Sequence, residues 1–379
     1  MRVLHVTHSG VASGGEIALG RLAKQVRSRG IDNVVACGAD GRLADDIRAT
    51  GVPVEVVRVP SSLAERRKAQ LRGAATVMAV PATLVYAARI GRTARRLRAD
   101  VIHTNSMKAH VAGMMAGWCT RTPVIVHLRD DLTQLRAGRA ITALVDWLLQ
   151  RVPAAVVGCS GHVLRVARIP DVPTAVVYSG VPPEMVNDHA RSDCEEPVVG
   201  MVARIAEWKG QHLFLDAAAI VAEAEPQARF RIVGAPLFSE EPYLERLRVQ
   251  ADQGNLAGRV EFTGFTSDPA AEYDRLAVAV ACSIEPEPFG QVVVEAMARG
   301  CPVVAPTEGG PLEAITPEVD GLLVPPRDAP SLAEAILRLL RDPSLRTLLG
   351  ARAVETVKAR FTVEVTADAF IDILQKVQK

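Results

Sequence analysis

Two α/β domains, each a doubly wound parallel sheet, are the fold class this sequence predicts, and three observations carry the prediction. Strand-like apolar runs and helical patterns alternate through both halves of the chain, as in β-α units that pair their strands in parallel. At 379 residues the chain is too long for one ordinary core and fits two domains of typical size. Between the halves, Ser179–Pro197 contains Gly180, Pro182, Pro183 and a charged run from Asp188 to Glu196, a linker by composition. The domains expected are residues 1–180 and 181–362, followed by a closing helix over 363–379.

In the first half, strands are predicted near Val3–Thr7, Asn33–Ala36, Val54–Val57, Val101–Thr104, Val124–His127 and Ala155–Gly158, with helices from Glu16, Ala109 and Arg139. In the second, strands near Val198–Val202, Phe230–Val233, Val260–Phe262, Val278–Cys282, Pro302–Val304 and Gly321–Leu323 alternate with helices from Gln211, Tyr243, Val292 and Ser331. Ligands of such open sheets bind outside the carboxyl ends of the strands.

Hydrophobic content of 49% with only 4% aromatic residues suits an α/β enzyme rich in Val, Ala and Leu. Strand-like Val3–Thr7 begins almost at Met1 with no small-residue cleavage site behind it, so the expected location is cytoplasmic. The six cysteines, Cys37, Cys119, Cys159, Cys194, Cys282 and Cys301, show no paired spacing and read as reduced packing residues. A net charge of +1 hides a polarity: residues 1–180 carry 25 Lys and Arg against 12 Asp and Glu, leaving 19 against 31 for the rest. Part of the excess is Arg66, Arg67, Lys68, Arg72, Arg89, Arg92, Arg95, Arg96 and Arg98, around the apolar run Gly73–Ala88. That run, interrupted by Pro81, is short for a membrane span, which needs about 20 residues. It reads either as a basic helix pair touching anionic headgroups on the inner face of a membrane or as two ordinary amphipathic helices with solvated arginines. Nucleic acid is not an expected partner.

The most informative string is Glu287-Pro288-Phe289-Gly290-Gln291-Val292-Val293-Val294-Glu295-Ala296-Met297-Ala298, which sets two carboxylates eight positions apart. Leu276–Cys282 before it reads as a buried strand, Pro288 and Gly290 as a turn, and Val292–Arg299 as a helix packed on the sheet. Unbonded N–H groups at such a helix start suit a phosphate. Glu295, one turn in, is placed for ribose hydroxyls, and Glu287 lies toward a sugar. Taken singly, each also reads as a solvated loop residue or a first-turn residue favoured by the helix dipole.

With Gly300-Cys301-Pro302-Val303-Val304-Ala305 and Gly309-Gly310-Pro311-Leu312-Glu313 downstream, this string closely resembles the E-x7-E region of the retaining family-4 glycosyltransferases, the group 1 enzymes of GT-B fold. The likeness covers nearly the whole chain, strongest over residues 198–325 and weak over 60–100. It implies two Rossmann-like domains facing across a cleft, the acceptor mainly on the first and the nucleotide sugar on the second, with the closing helix crossing back to the first. It places Glu287 by the donor sugar, Glu295 on the ribose, and Phe289, Gly290 and Gln291 in the donor-binding turn.

Other segments fit the same resemblance. In Ser9-Gly10-Val11-Ala12-Ser13-Gly14-Gly15-Glu16, Gly14 and Gly15 match the family's loop beside the donor diphosphate. Adjacent glycines at a helix entry allow close approach of a ligand; the P-loop and dinucleotide fingerprints are both missing. In Met201–Gly210, Arg204 and Lys209 match an R-x4-K-G element, and fixed cations in a dry cleft would stabilise a departing diphosphate. In Val260–Thr266, Phe265 lies in a loop similar to the one beside the nucleobase. The family strand that ends in a catalytic-site histidine two residues beyond a Thr resembles Pro123–Asp130, but here Arg129 holds the histidine position and His127 the Thr position. Side chains two apart on a strand share a face, so either fills the histidine role, or His127 is a buried, satisfied residue. His103, Asn105 and His110 form a second polar group, with His110 structural or acceptor-binding. No Asp-x-Asp occurs; Asp45-Asp46 and Asp130-Asp131 are adjacent pairs. The expectation is therefore no metal and no cofactor beyond the donor.

The resulting expectation is a retaining, metal-independent glycosyltransferase moving a sugar from a nucleoside-diphosphate sugar to an alcohol: a sugar, a lipid-linked acceptor or a small molecule. A sugar-nucleotide epimerase of the same architecture would need acidic residues placed for proton abstraction. A non-catalytic sugar-nucleotide-binding module would not need Arg204, Lys209, Glu287 and Glu295 together.

Overall fold

A computed structural model describes residues 1–11, 13–64, 74–134, 139–187, 197–237 and 239–378. Arg66, Arg67, Lys68 and Arg72, and the charged run Asp188–Glu196, lie outside the described residues. The chain divides into two compact units, residues 1–180 with 363–379 and residues 181–362. Both are Rossmann-like, each built on one parallel sheet.

Among the described residues the first unit holds β1 (Arg2–Thr7), β2 (Asp32–Cys37), β3 (Val54–Val56), β4 (Val101–Thr104), β5 (Val124–Leu128), β6 (Ala155–Gly158) and β7 (Thr174–Val176). They form one parallel sheet in the order β3-β2-β1-β4-β5-β6-β7. The central strands are buried along nearly their whole length, which is why they read as continuous apolar runs: helices cover both faces. The helix Val363–Gln378 packs Phe370, Ile373 and Leu374 against Val3, Ile125 and Val157 of this sheet. Each such fully buried side chain contributes about 1.5–3 kcal/mol.

The second unit holds β8 (Val198–Val202), β9 (Arg229–Val233), β10 (Val260–Gly264), β11 (Val278–Val280), β12 (Val303–Pro306) and β13 (Leu322–Val324). They form a parallel sheet in the order β10-β9-β8-β11-β12-β13. The edge-on ring pair Phe214 and Phe230, centroids 6.2 Å apart, sits in its core. In both sheets the winding reverses beside the first strand, between β1 and β4 and between β8 and β11. Such a switch point opens a crevice where the loops after the two strands diverge.

Three details differ from the sequence reading. The run Leu276–Cys282 is buried throughout, but only Val278–Val280 form a strand, because pairing to β8 and β12 is confined to these residues. Strand β7 follows Pro170 and Pro173 and is made by pairing with β6, a tertiary contact with no local periodic signal. The described part of the basic segment forms one helix, Ala74–Leu97, continuous through Pro81, while the first half of the expected pair, with Arg66, Arg67, Lys68 and Arg72, lies outside the described residues. Packing outweighs the local cost of proline there: Tyr86 and Ile90 are fully buried, and the Tyr86 hydroxyl donates to the Thr7 carbonyl at 3.3 Å.

Candidate functional site

In the second unit the loops after β8 and β11 meet at the switch point. The loop after β8 makes one 3-10 turn, Glu207–Lys209, and enters the helix Gln211–Ala224 at Gly210. Gly210 has φ +77, and a Cβ there would lie 2.1 Å from the Cys282 carbonyl oxygen, so no other residue fits so close to β11. The two loops are also joined by the Ile284 N–H, which donates to the Trp208 carbonyl at 2.8 Å.

This junction brings Lys209 onto Glu287, 78 positions on: Nζ donates to Oε1 at 2.7 Å. Lys209 is 9% and Glu287 7% exposed. The ammonium also lies 4.3 Å from the ring centroid of Trp208, and the Ser283 hydroxyl donates to the same Glu287 oxygen. An ion pair this buried holds its geometry by hydrogen bonds. Arg204 extends from the same loop, with its guanidinium 5.8 Å from the Trp208 ring and Nη1 3.7 Å from Glu240.

Glu287 is fixed in turn by a second loop. The Gly310 N–H donates to its carbonyl at 2.8 Å, and a Cβ on Gly310 would sit 2.3 Å from Phe289 backbone atoms. Gly290, φ +84, caps the helix Gln291–Ala298. Glu295 lies one turn into that helix, half-buried, and accepts from Gln291 Nε2 at 3.3 Å. The Phe289 side chain turns inward, 4% exposed and 5.9 Å from the Phe361 ring. Phe265, by contrast, is 67% exposed beyond β10.

In the first unit a polar group lies at the β1–β4 switch point. Asn105, just past β4, donates from Nδ2 to the Gly15 carbonyl at 3.0 Å and accepts from Arg129 Nε at 2.6 Å. Arg129 also donates through Nη1 to Ser179 Oγ at 2.7 Å, and its Nη2 lies 3.5 Å from His127 Nδ1. Burial lowers the Arg129 pKa, opposed by Cys159 and Glu16. Glu16 is buried, accepts from Thr7 Oγ1 at 3.1 Å and from Ser13, and has its pKa raised by burial. Gly14 meets nothing within 4 Å at its Cβ position, while Gly15 would touch Arg129 Cδ at 3.3 Å.

Behind Arg129 runs a line of histidines across three strands. His5 Nδ1 and His103 Nδ1 are 2.7 Å apart, and His103 Nε2 and His127 Nδ1 3.1 Å. Arginine can only donate, so His127 Nδ1 accepts, His103 Nε2 carries the proton, and His103 Nδ1 accepts from His5. Burial favours the neutral form of all three rings. Burial pushes the His5 pKa down to about 3 and those of His103 and His127 well below their ordinary value. His127 is fully buried, whereas Arg129 is half-buried just past the strand end. His110 bonds Thr104 Oγ1 at 2.8 Å inside the fold.

Ser283, Trp208 and Ser179 were not legible as site residues. Ser283 stands four positions before Glu287, and Trp208 adjoins Lys209; neither spacing distinguishes them without the tertiary contact. Among the described residues, no group of three or more His, Cys, Asp and Glu side chains is placed to hold a metal ion, and no helix is long and apolar enough to cross a membrane.

Residues 186–356 match the family described as Glycosyl transferases group 1, and residues 13–180 match the Glycosyl transferase 4-like domain. The lipopolysaccharide core biosynthesis glycosyltransferase LpsE of Rhizobium meliloti is 31% identical over 199 residues, 52% of this chain and 56% of that protein. A GDP-mannose-dependent monoacylated alpha-(1-6)-phosphatidylinositol monomannoside mannosyltransferase of Corynebacterium glutamicum is 33% identical over 183 residues, 47% of each chain. The chain thus spans about half the length of the curated relatives it matches. Among solved structures, Anabaena HepE in complex with UDP and glucose is 28% identical with a TM-score of 0.83, covering 99% of both chains.

Proposed function

The chain belongs to the group 1 glycosyltransferases, and from that membership we propose that it is a retaining enzyme moving a sugar from a nucleoside-diphosphate sugar to an acceptor hydroxyl. The observation that carries this reading is the buried Lys209–Glu287 pair, 2.7 Å apart, at the switch point of the second sheet. As the C1–phosphate bond breaks, charge builds on the departing diphosphate. Lys209, held by Glu287 and the Trp208 face, and Arg204, on the same loop and against the same ring, are already in place, so little reorganisation accompanies that charge. The N-terminus of the helix Gln291–Ala298 adds its amide dipoles, and Glu295 takes the ribose hydroxyls. Glu287 borders the sugar.

The acceptor oxygen attacks C1 on the face the diphosphate leaves, and its proton passes to a departing phosphate oxygen. The configuration is then retained with no protein nucleophile. Arg204 and Lys209 supply the neutralising charge, so no divalent ion takes part. Arg129, anchored by Asn105 and Ser179, carries the role of the family's histidine, and His127 acts by positioning it. The HepE complex with UDP and glucose supports a nucleotide-sugar donor. The names of LpsE and the mannosyltransferase support an acceptor on a glycolipid, in keeping with peripheral contact to anionic membrane through the basic segment that ends at Arg98.

A panel of nucleotide sugars incubated with the protein tests the reading. Slow release of nucleoside diphosphate from one donor, with an acceptor product of unchanged anomeric configuration by NMR, is expected. A changed sugar with no nucleotide release would make it an epimerase, and binding without turnover a silent module.

A further inference from the structure

The first unit contains a cavity of about 550 Å³ between edge strand β3 and the helix Ala74–Leu97. Asp40, Glu55, Arg58, Arg89, Arg92 and Arg96 line it. Its lining runs from Glu55 within β3 to Arg58 just past it, with Asp40 just past β2. Arg89, Arg92 and Arg96 recur at helical spacing, so one face of the helix presents three guanidinium groups.

Among the described residues, the charges in this cavity do not cancel. Both carboxylates already have cations: Glu55 Oε2 lies 2.9 Å from Arg96 Nη2, and Asp40 Oδ1 3.1 Å from Arg48 Nη2. Arg89 Nη1 donates to the Arg58 carbonyl at 2.6 Å, which fixes the guanidinium without neutralising it. Arg58, Arg89 and Arg92 have no carboxylate partner among the described residues. Three like charges gathered around one concavity repel each other, and an anion in the cavity relieves that repulsion. A tetrahedral phosphate, with several oxygens for planar guanidinium forks, matches the donor set.

We propose that this cavity binds the phosphate of a phosphate ester, and that the ester is carried by the acceptor. The second clause rests on the proposed glycosyl transfer; the anion site does not. The shared chemistry is a phosphate mono- or diester, free in solution or at a lipid headgroup.

Calorimetry on the full chain at low salt, with glycerol 3-phosphate, neutral glycerol and UDP as separate titrants, tests the site. Sedimentation with phosphatidylglycerol and phosphatidylcholine vesicles runs in parallel. Wild type should bind the soluble ester or pellet with the phosphatidylglycerol vesicles, and Arg58→Gln combined with Arg92→Gln should weaken that binding at least tenfold, as should added salt. Both substitutions fall on exposed side chains, and unchanged UDP affinity reports an intact second unit. Ester binding without vesicle binding identifies a soluble ligand, and the reverse a lipid headgroup. The site is overturned if neither ligand binds, or if the double variant binds as wild type does. Wild type that binds the ester but not UDP would count against the donor reading and leave the anion site standing.

Discussion

Lys209 Nζ and Glu287 Oε1 are 2.7 Å apart, in a pair buried between the loops after β8 and β11. Each residue is the other's main compensation for leaving water, so the pair has separable effects on stability and on turnover.

Lys209→Ala should destabilise the second unit by about 3 kcal/mol, because it strands a buried carboxylate, and lower kcat roughly 10²–10³-fold, the cost of a lost oxyanion donor. Adding Glu287→Gln should restore much of the stability and none of the turnover. Denaturant midpoints and single-donor kinetics on the cycle of four proteins check this; activity returning with stability would make the pair purely structural.

Arg204→Ala should produce a similar kcat loss, because the side chain supplies charge to the same departing diphosphate as Lys209; its contact to Glu240, at 3.7 Å, is too long for a hydrogen bond. Near-normal turnover would remove Arg204 from the reaction.

Glu295→Gln keeps the side chain's shape and loses the charge that favours two ribose donors. Binding of the nucleoside diphosphate should weaken by about 1.5–3 kcal/mol, the range for hydrogen bonds to charged groups. Unchanged affinity in calorimetry would move the ribose elsewhere.

Transferase activity should persist in EDTA, because arginine, lysine and helix amides perform the neutralisation a divalent ion performs in other architectures. Full loss on chelation, restored by Mn²⁺ or Mg²⁺, would overturn that argument.

The line His5–His103–His127 should make the first unit less stable as pH falls. The three histidines have folded pKa values below 6.5, His5 at about 3, so below pH 6.5 the unfolded chain binds more protons than the folded one. Stability is full above about 6.5 and falls by up to about 1.4 kcal/mol per pH unit for each histidine as pH drops toward 3. Glu16, whose pKa burial raises, opposes this above its ordinary value. Melting curves between pH 7.5 and 5 check the slope, which His103→Gln should reduce; a flat profile would mean that the rings are charged in the fold.

By itself the sequence determined the class of fold and the chemistry on offer. Strands Val101–Thr104, Ala155–Gly158 and Val198–Val202 have the bounds read from their apolar runs, because a strand buried on both faces must be apolar along its length. The string from Glu287 to Ala298 was legible because turn, helix start and carboxylate spacing are all local. The helix Pro343–Arg360 was local too, with Asp342 accepting from the Leu345 N–H at 2.9 Å as its cap, and its Asp-Pro start went unread. Only the tertiary structure decided the rest. It confined β11 to the three residues registered with β8 or β12, carried a helix through Pro81 because Tyr86 and Ile90 are buried, and turned the Phe289 ring into the core. It joined Lys209 to Glu287 across 78 positions and set His5, His103 and His127 in one line across β1, β4 and β5. The order of strands in a sheet brings such residues together, and no spacing along the chain encodes that order.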